Sequence, residues 1–223
     1  EGIPIGRTSA REAEEIHPVP EGHLAKTLPH LSPQVSTMVQ VQRLTGMRPG
    51  EVCAMRSRDI TLSKPVWTYK PPKHKNAWRG VKRIIFIGPK AQKLLRPWLR
   101  ADLEAHLFQP REAEEWRNDQ IRRQTDKKGT RPGKRREPSS RLQHVGESYS
   151  TQSYRKAIQY ACLKAKVPLW SPNQLRHEAA TRIAARAGVE GAATVLGHAR
   201  IDTTELYAER DLEKARKLME EMG

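Results

Sequence analysis

Two short runs of β-branched and aromatic residues, Val66-Trp67-Thr68-Tyr69 and Arg83-Ile84-Ile85-Phe86-Ile87, read as strands, and helical periodicity lies on both sides of them. Between them Lys70 to Lys82 is rich in Pro, Lys and Gly. This is the pattern of one hairpin with a long cationic tip. The expected architecture is therefore mainly α with a small antiparallel β-sheet, an α+β class.

The helices announce themselves by their ends. Ser32-Pro33 supplies an N-cap and a first-turn proline, Val35, Met38, Val39 and Leu44 form an apolar stripe, and Gly46 closes it. After the Arg48-Pro49 turn, Glu51 to Met55 predicts a short helix. Ala91 to Leu107 resumes helical spacing, and further helices are predicted over Ser150–Lys166, Pro172–Gly188, Val189–Leu196, Thr203–Ala208 and Asp211–Met222. Residues 1–31, broken by Pro18, Pro20 and Pro29, read as a lead-in or linker holding a short helix or two. Residues 109–148 read as a basic loop insertion. Arg117 to Arg136 sets nine basic residues against Asp119 and Asp126, punctuated by Gly129, Pro132 and Gly133. That run suits phosphate contact and equally a solvated linker.

Charge narrows the partner. Lys and Arg total 41 against 25 Asp and Glu, a formal charge of +16. A chain this basic points to a polyanion, with double-stranded DNA the first candidate. No window approaches the ~18 apolar residues of a membrane span, and no membrane partner is expected. The N-terminus, Glu1-Gly2-Ile3-Pro4, has no signal-peptide pattern and no initiator Met, which suggests a piece of a longer chain. Cys53 and Cys162 sit in apolar helical contexts, which fits buried thiols in a cytoplasmic protein. No His/Cys cluster has zinc-site spacing.

Four local patterns carry candidate chemistry. Thr45-Gly46-Met47-Arg48-Pro49-Gly50-Glu51 holds an arginine on a turn. Lys73-His74-Lys75 sits at the hairpin tip. Ser171-Pro172-Asn173-Gln174-Leu175-Arg176-His177 opens a helix with Asn173 and Arg176 three apart on one face. Leu196-Gly197-His198 is followed nine residues later by Tyr207. Each is weak alone. An Arg-Pro-Gly-Glu is usually a turn with a surface ion pair, Leu-Gly-His a helix end, and a lone helical Tyr packing. Trp67, Trp78, Trp98, Trp116 and Trp170 read as core or interface residues.

Taken together and in this order, the patterns resemble the tyrosine recombinase (phage integrase) family over residues ~32–210, its catalytic domain. The resemblance implies that family's mixed, mainly helical fold. It implies breakage and rejoining of DNA through a covalent 3′-phosphotyrosyl intermediate, without metal or cofactor. It further implies a tetramer on two duplexes, although the fragment alone is compatible with a monomer, and a separate DNA-clamping domain upstream. Residues 211–223 then form a C-terminal helix that docks either on a partner or on its own core.

The expected roles follow from the side chains. Arg48 and Arg176 grip the non-bridging oxygens of the scissile phosphate and offset the charge that grows in the transition state. Tyr207 is the nucleophile; a phenol is also a fair leaving group, so the step is reversible. Lys75, with Lys73 as the other choice, protonates the departing 5′ oxygen. His198 hydrogen-bonds the phosphate or steadies the nucleophile, and Glu51 orients the site. The family usually has His where this chain has Asn173. An amide donates a hydrogen bond but carries no proton at neutral pH, so Tyr207 needs activation through His198 or water, or the rate is lowered. Two other readings follow from the same residues: a catalytically impaired DNA-binding module, and relaxation of DNA in the manner of a type IB topoisomerase.

Overall fold

The computed structural model of the chain describes residues 17–63, 65–72, 83–127, 146–197 and 215–223. Seven helices and three strands are numbered in chain order. They are α1 (Glu21–Thr27), α2 (Pro33–Thr45), α3 (Pro49–Cys53), β1 (Ile60–Thr61), β2 (Trp67–Tyr69), β3 (Ile85–Ile87), α4 (Pro89–Leu95), α5 (Pro110–Lys127), α6 (Thr151–Ala165) and α7 (Pro172–Leu196), the last broken by a kink at Gly188, φ 76° and ψ 171°, into the two helices expected there. Residues 215–222 form a further C-terminal helix. Among the described residues no helix is long and apolar enough to cross a membrane.

The hairpin forms as expected and gains a third strand. The antiparallel order is β1-β2-β3, with Trp67 opposite Ile87, Thr68 opposite Phe86 and Tyr69 opposite Ile85. Side chains alternate across a strand, and both faces here are covered. Trp67, Tyr69, Ile85 and Ile87 enter the main core with α1, α2, α4 and α6. Val66 and Phe86 enter a second cluster with Ile183, Ala192, Val195, Ala215 and Met219. A sheet buried on both faces explains why Ile84 to Ile87 read as one apolar run.

Sequence and structure part in three places. Residues 17–31 are not a mere lead-in: Val19, Leu24 and Leu31 are buried in the main core. Thr27 there accepts a 3.2 Å hydrogen bond from the Trp170 indole. The helix predicted over Ala91–Leu107 stops at Leu95 and a 3-10 turn, Arg96–Trp98. Pro97 has no N–H to continue the ladder, and Leu99 turns extended. The basic insertion is a loop only in part, because residues 110–127 form α5. Glutamates at its start suit the helix dipole, Ala113 is buried, and Arg100 Nη2 bonds both Glu112 oxygens at 2.7 Å. Arg131, Lys134, Arg135 and Arg136 lie outside the described residues.

The C-terminal helix packs on its own chain. Ala215 and Met219 are buried against Val66, Phe86 and Val195. The Gly223 carbonyl accepts hydrogen bonds from the N–H groups of Lys90 and Ala91. Cys53 and Cys162 are free and buried, and burial pushes the Cys53 thiol up to about 12.

Candidate active site

Two helix ends meet at the site, and glycine permits the meeting. Gly46 caps α2 in the left-handed conformation, φ +66°. A Cβ there would strike the Leu196 side chain and lie 3.2 Å from Ala179 Cβ. Gln42, fully buried, fixes the approach from the other side. Its amide donates to the Pro172 carbonyl at 2.9 Å and its Oε1 accepts from the Tyr154 hydroxyl at 3.0 Å. The start of α7 is thereby held against α2 and α6.

Arg48 follows Gly46 by two residues. Being next to Pro49 excludes the helical region, and it is extended at φ −73°, ψ 152° as the N-cap of α3. Glu51 Oε2 accepts the Arg48 backbone N–H at 2.7 Å, and Glu51 Oε1 accepts Arg48 Nη1 at 3.0 Å. One carboxylate thus sets both the turn and the side chain. Burial opposes the Glu51 charge, but Arg83 and Arg48 outweigh it and hold its carboxyl below the usual range.

Arg176 lies one turn into α7, with Leu175, Ala179 and Ile183 buried beside it. Its Nη1 donates to the Gly46 carbonyl at 2.6 Å and its Nη2 to the Leu196 carbonyl at 2.8 Å. Among the described residues these two bonds use two of its five N–H donors. Burial and the nearby Arg48 and Arg83 charges push its pKa down to about 10. The group stays protonated at neutral pH, and no carboxylate among the described residues is bonded to it. Arg48, Arg83 and Arg176 therefore make a cluster of three guanidiniums around one carboxylate, a positive site suited to an anion.

Asn173 is exposed on the first turn of α7, three residues before Arg176. The structure brings Arg48, Glu51 and Arg176 together and places Asn173 on the same helix as Arg176. Lys73, Lys75, His198 and Tyr207 lie outside the described residues. The arginine that sequence reasoning missed is Arg83. The sequence shows only a charge ahead of an apolar strand; what marks Arg83 is its contact with Glu51 and the Val195 carbonyl. Two cavities of about 300 and 380 Å³ have linings that include none of Arg48, Glu51, Arg83, Asn173 or Arg176. A backbone phosphate of a duplex needs a surface cradle rather than a cavity. Among the described residues no group of three His, Cys, Asp or Glu is placed to hold a metal ion.

Comparison with known proteins bears on the family and the fold. The sequence profile described as "Phage integrase family" matches residues 23–214. Similar solved structures include the integrase from mycobacterium phage Brujita, at 15% identity and TM-score 0.59 over 98% of this chain and 62% of that one. XerA recombinase is similar at 20% identity and TM-score 0.53, over 96% and 68% of the two chains. XerH site-specific recombinase, in a pre-cleavage complex with its difH substrate, is similar at 15% identity and TM-score 0.50, over 90% and 55%. At these identities the likeness is one of fold, and this chain spans 62% of the phage integrase's length. No curated protein matches the chain.

Proposed function

The chain belongs to the phage integrase family, and we propose that it is a site-specific recombinase that cleaves and rejoins double-stranded DNA through Tyr207. The observation that carries this reading is the pairing of the two motif arginines. Arg176 bonds the Gly46 carbonyl, two residues from Arg48, and feels the Arg48 charge. Residues some 130 positions apart in sequence thus lie near enough for their charges to act on each other, which supports a shared anion site.

The chemistry requires little else. Arg48 and Arg176 hold the two non-bridging oxygens of the scissile phosphate, more tightly as charge grows there. The Tyr207 oxygen attacks phosphorus, a 3′-phosphotyrosyl bond forms, and the bond to the 5′ oxygen breaks. That oxygen takes a proton from Lys75, with Lys73 the other choice on the same tip. His198 hydrogen-bonds the phosphate, and Asn173 donates a hydrogen bond without moving a proton. The reverse reaction with another 5′ hydroxyl rejoins the strand, so bond energy is conserved without a cofactor. Three of the four other tyrosines are ill suited to the role. Tyr69 and Tyr154 are buried and hydrogen-bonded, and burial raises the pKa of both and of Tyr149. A tetramer across two duplexes is the assembly this reaction needs, and the protein captured in the XerH complex is bound to its DNA substrate.

The test is a duplex nicked next to the cleavage position, so that the released piece diffuses away. Wild type is expected to give a denaturation-resistant protein–DNA adduct, and Tyr207→Phe none. Binding without adduct in the wild type would make the chain a DNA-binding module. Relaxation of any supercoiled plasmid would make it a topoisomerase.

A further inference from the structure

Arg83 is the buried charge that the proposed chemistry does not use. Its side chain is 5% exposed, beside a Glu51 side chain at 3%. It heads the strand after the hairpin tip, where Ile85, Phe86 and Ile87 are all buried. A buried ion pair is a poor route to stability, since an apolar side chain of similar volume serves as well or better. Something other than packing accounts for a guanidinium here.

Its contacts run in two directions. Nε donates to Glu51 Oε1 at 3.3 Å, the same oxygen that accepts Arg48 Nη1. Nη1 donates to the Val195 carbonyl at 3.2 Å and to the Ile84 carbonyl at 3.4 Å. Val195 precedes Leu196, whose carbonyl accepts Arg176 Nη2. Arg83 therefore joins the carboxylate that sets Arg48 to the helix end that sets Arg176. Its Nη2 is buried and finds no hydrogen-bond partner among the described residues. Gly197 registers the same fit: φ is +63°, and a Cβ there would sit 2.5 Å from Arg83 Nη1. The glycine of Leu196-Gly197-His198 leaves room for this guanidinium as well as capping α7.

We infer that Arg83 is a positioning residue of the strand-cleavage site, which through Glu51 and the Val195 carbonyl holds Arg48 and Arg176 at the spacing one DNA phosphate needs. The inference rests on the proposed function. Arg83 itself does not touch DNA, because its side chain is enclosed. Its loss is felt in proportion to the charge the two other arginines must neutralise. A scissile linkage in which methyl replaces one non-bridging oxygen carries no net charge and demands less of them.

The experiment uses the full chain as wild type, Arg83→Met, Arg83→Lys, Glu51→Gln and the double variant. Each is given nicked duplexes with either a phosphodiester or a methylphosphonate at the cleavage position. Arg83→Met is expected to slow adduct formation about 100-fold on the phosphodiester, the scale of a ~1 Å misplacement, and less than about threefold on the methylphosphonate. Duplex affinity stays within about threefold of wild type, because phosphate contacts elsewhere are untouched. Arg83→Lys falls between, since one ammonium cannot reach both Glu51 and Val195. The double variant loses less than the product of the two single losses, because one residue acts through the other. Equal slowing on both substrates, or losses that multiply, overturns the inference. If Arg83→Met does not fold, Arg83→Lys carries the same comparison. If wild type forms no adduct on either substrate, the recombinase reading has failed. The placement is then read from inorganic phosphate binding, followed by thermal shift. Arg83→Met should weaken phosphate about tenfold, about one lost charge-assisted bond, and unchanged affinity overturns it.

Discussion

Replacing Glu51 by Gln keeps the size of the side chain but only one acceptor oxygen, which when turned to Arg83 leaves the amide NH2 facing the Arg48 N–H, and it removes the charge between two guanidiniums. The two partners respond differently. Arg48 is 26% exposed, so its cation turns to water at little cost. Arg83, at 5% exposed, keeps only carbonyl partners. At 3.3 Å and an effective dielectric of about 20, the gross attraction lost is about 5 kcal/mol. Removing one partner of a buried pair costs about 3–5 kcal/mol, and the lower end is expected because the Gln amide oxygen still accepts from Arg83. At roughly 2–4 °C per kcal/mol for a chain of this length, the melting temperature falls by about 6–12 °C at neutral pH. The pH dependence identifies the cause. The native Glu51 carboxyl titrates below its unfolded value. Its contribution is therefore complete above the unfolded pKa of about 4.3 and is lost as pH falls through the native one. Melting curves of wild type and Glu51→Gln should be separate at pH 7 and converge below about pH 4. A variant that melts within about 1 °C of wild type at pH 7, or a gap unchanged at acid pH, refutes the reasoning.

Other perturbations follow from the same contacts. Gly46→Ala forces a side chain into a left-handed residue and against Leu196, and chemical denaturation should show a loss of about 2–4 kcal/mol. Tyr154→Phe leaves the buried Gln42 Oε1 without its donor, which should cost about 1–2 kcal/mol by the same measurement. DNA affinity should fall linearly with salt on a log–log scale, with a slope of about −0.9 per phosphate contact; a slope near zero in filter binding would contradict phosphate gripping.

The hairpin and the capped helices were legible because their signals are local. Ser32-Pro33, Gly46 and the apolar stripe of α2 agree with one another, as do the two apolar runs that became β2 and β3. The α5 helix was not legible. Its sequence lacks an apolar stripe, and it rests on i, i+3 charge pairs such as Glu114–Arg117, one buried alanine and the Arg100–Glu112 pair from outside the helix. The burial of residues 17–31 is not legible locally because it depends on α6 and Trp170, which lie about 120 residues or more away. In the site, the motif residues Arg48, Glu51 and Arg176 could be named from order and spacing. Arg83 could not, since its meaning comes from Val195, a long-range partner with no trace in local pattern. The tertiary contact converts an apparent strand-edge charge into the link between two motifs.

The central claim is that Arg48 and Arg176 share one backbone phosphate. A structure of the chain on a nicked duplex, with Tyr207→Phe to halt the reaction, tests this most directly. The account predicts guanidinium nitrogens of both residues at about 2.7–2.9 Å from non-bridging oxygens of the same phosphate. It predicts that the Arg83–Glu51 and Arg176–Gly46 contacts remain. Arginines on two different phosphates, or Arg176 still turned wholly to carbonyl oxygens with the scissile linkage elsewhere, would contradict it.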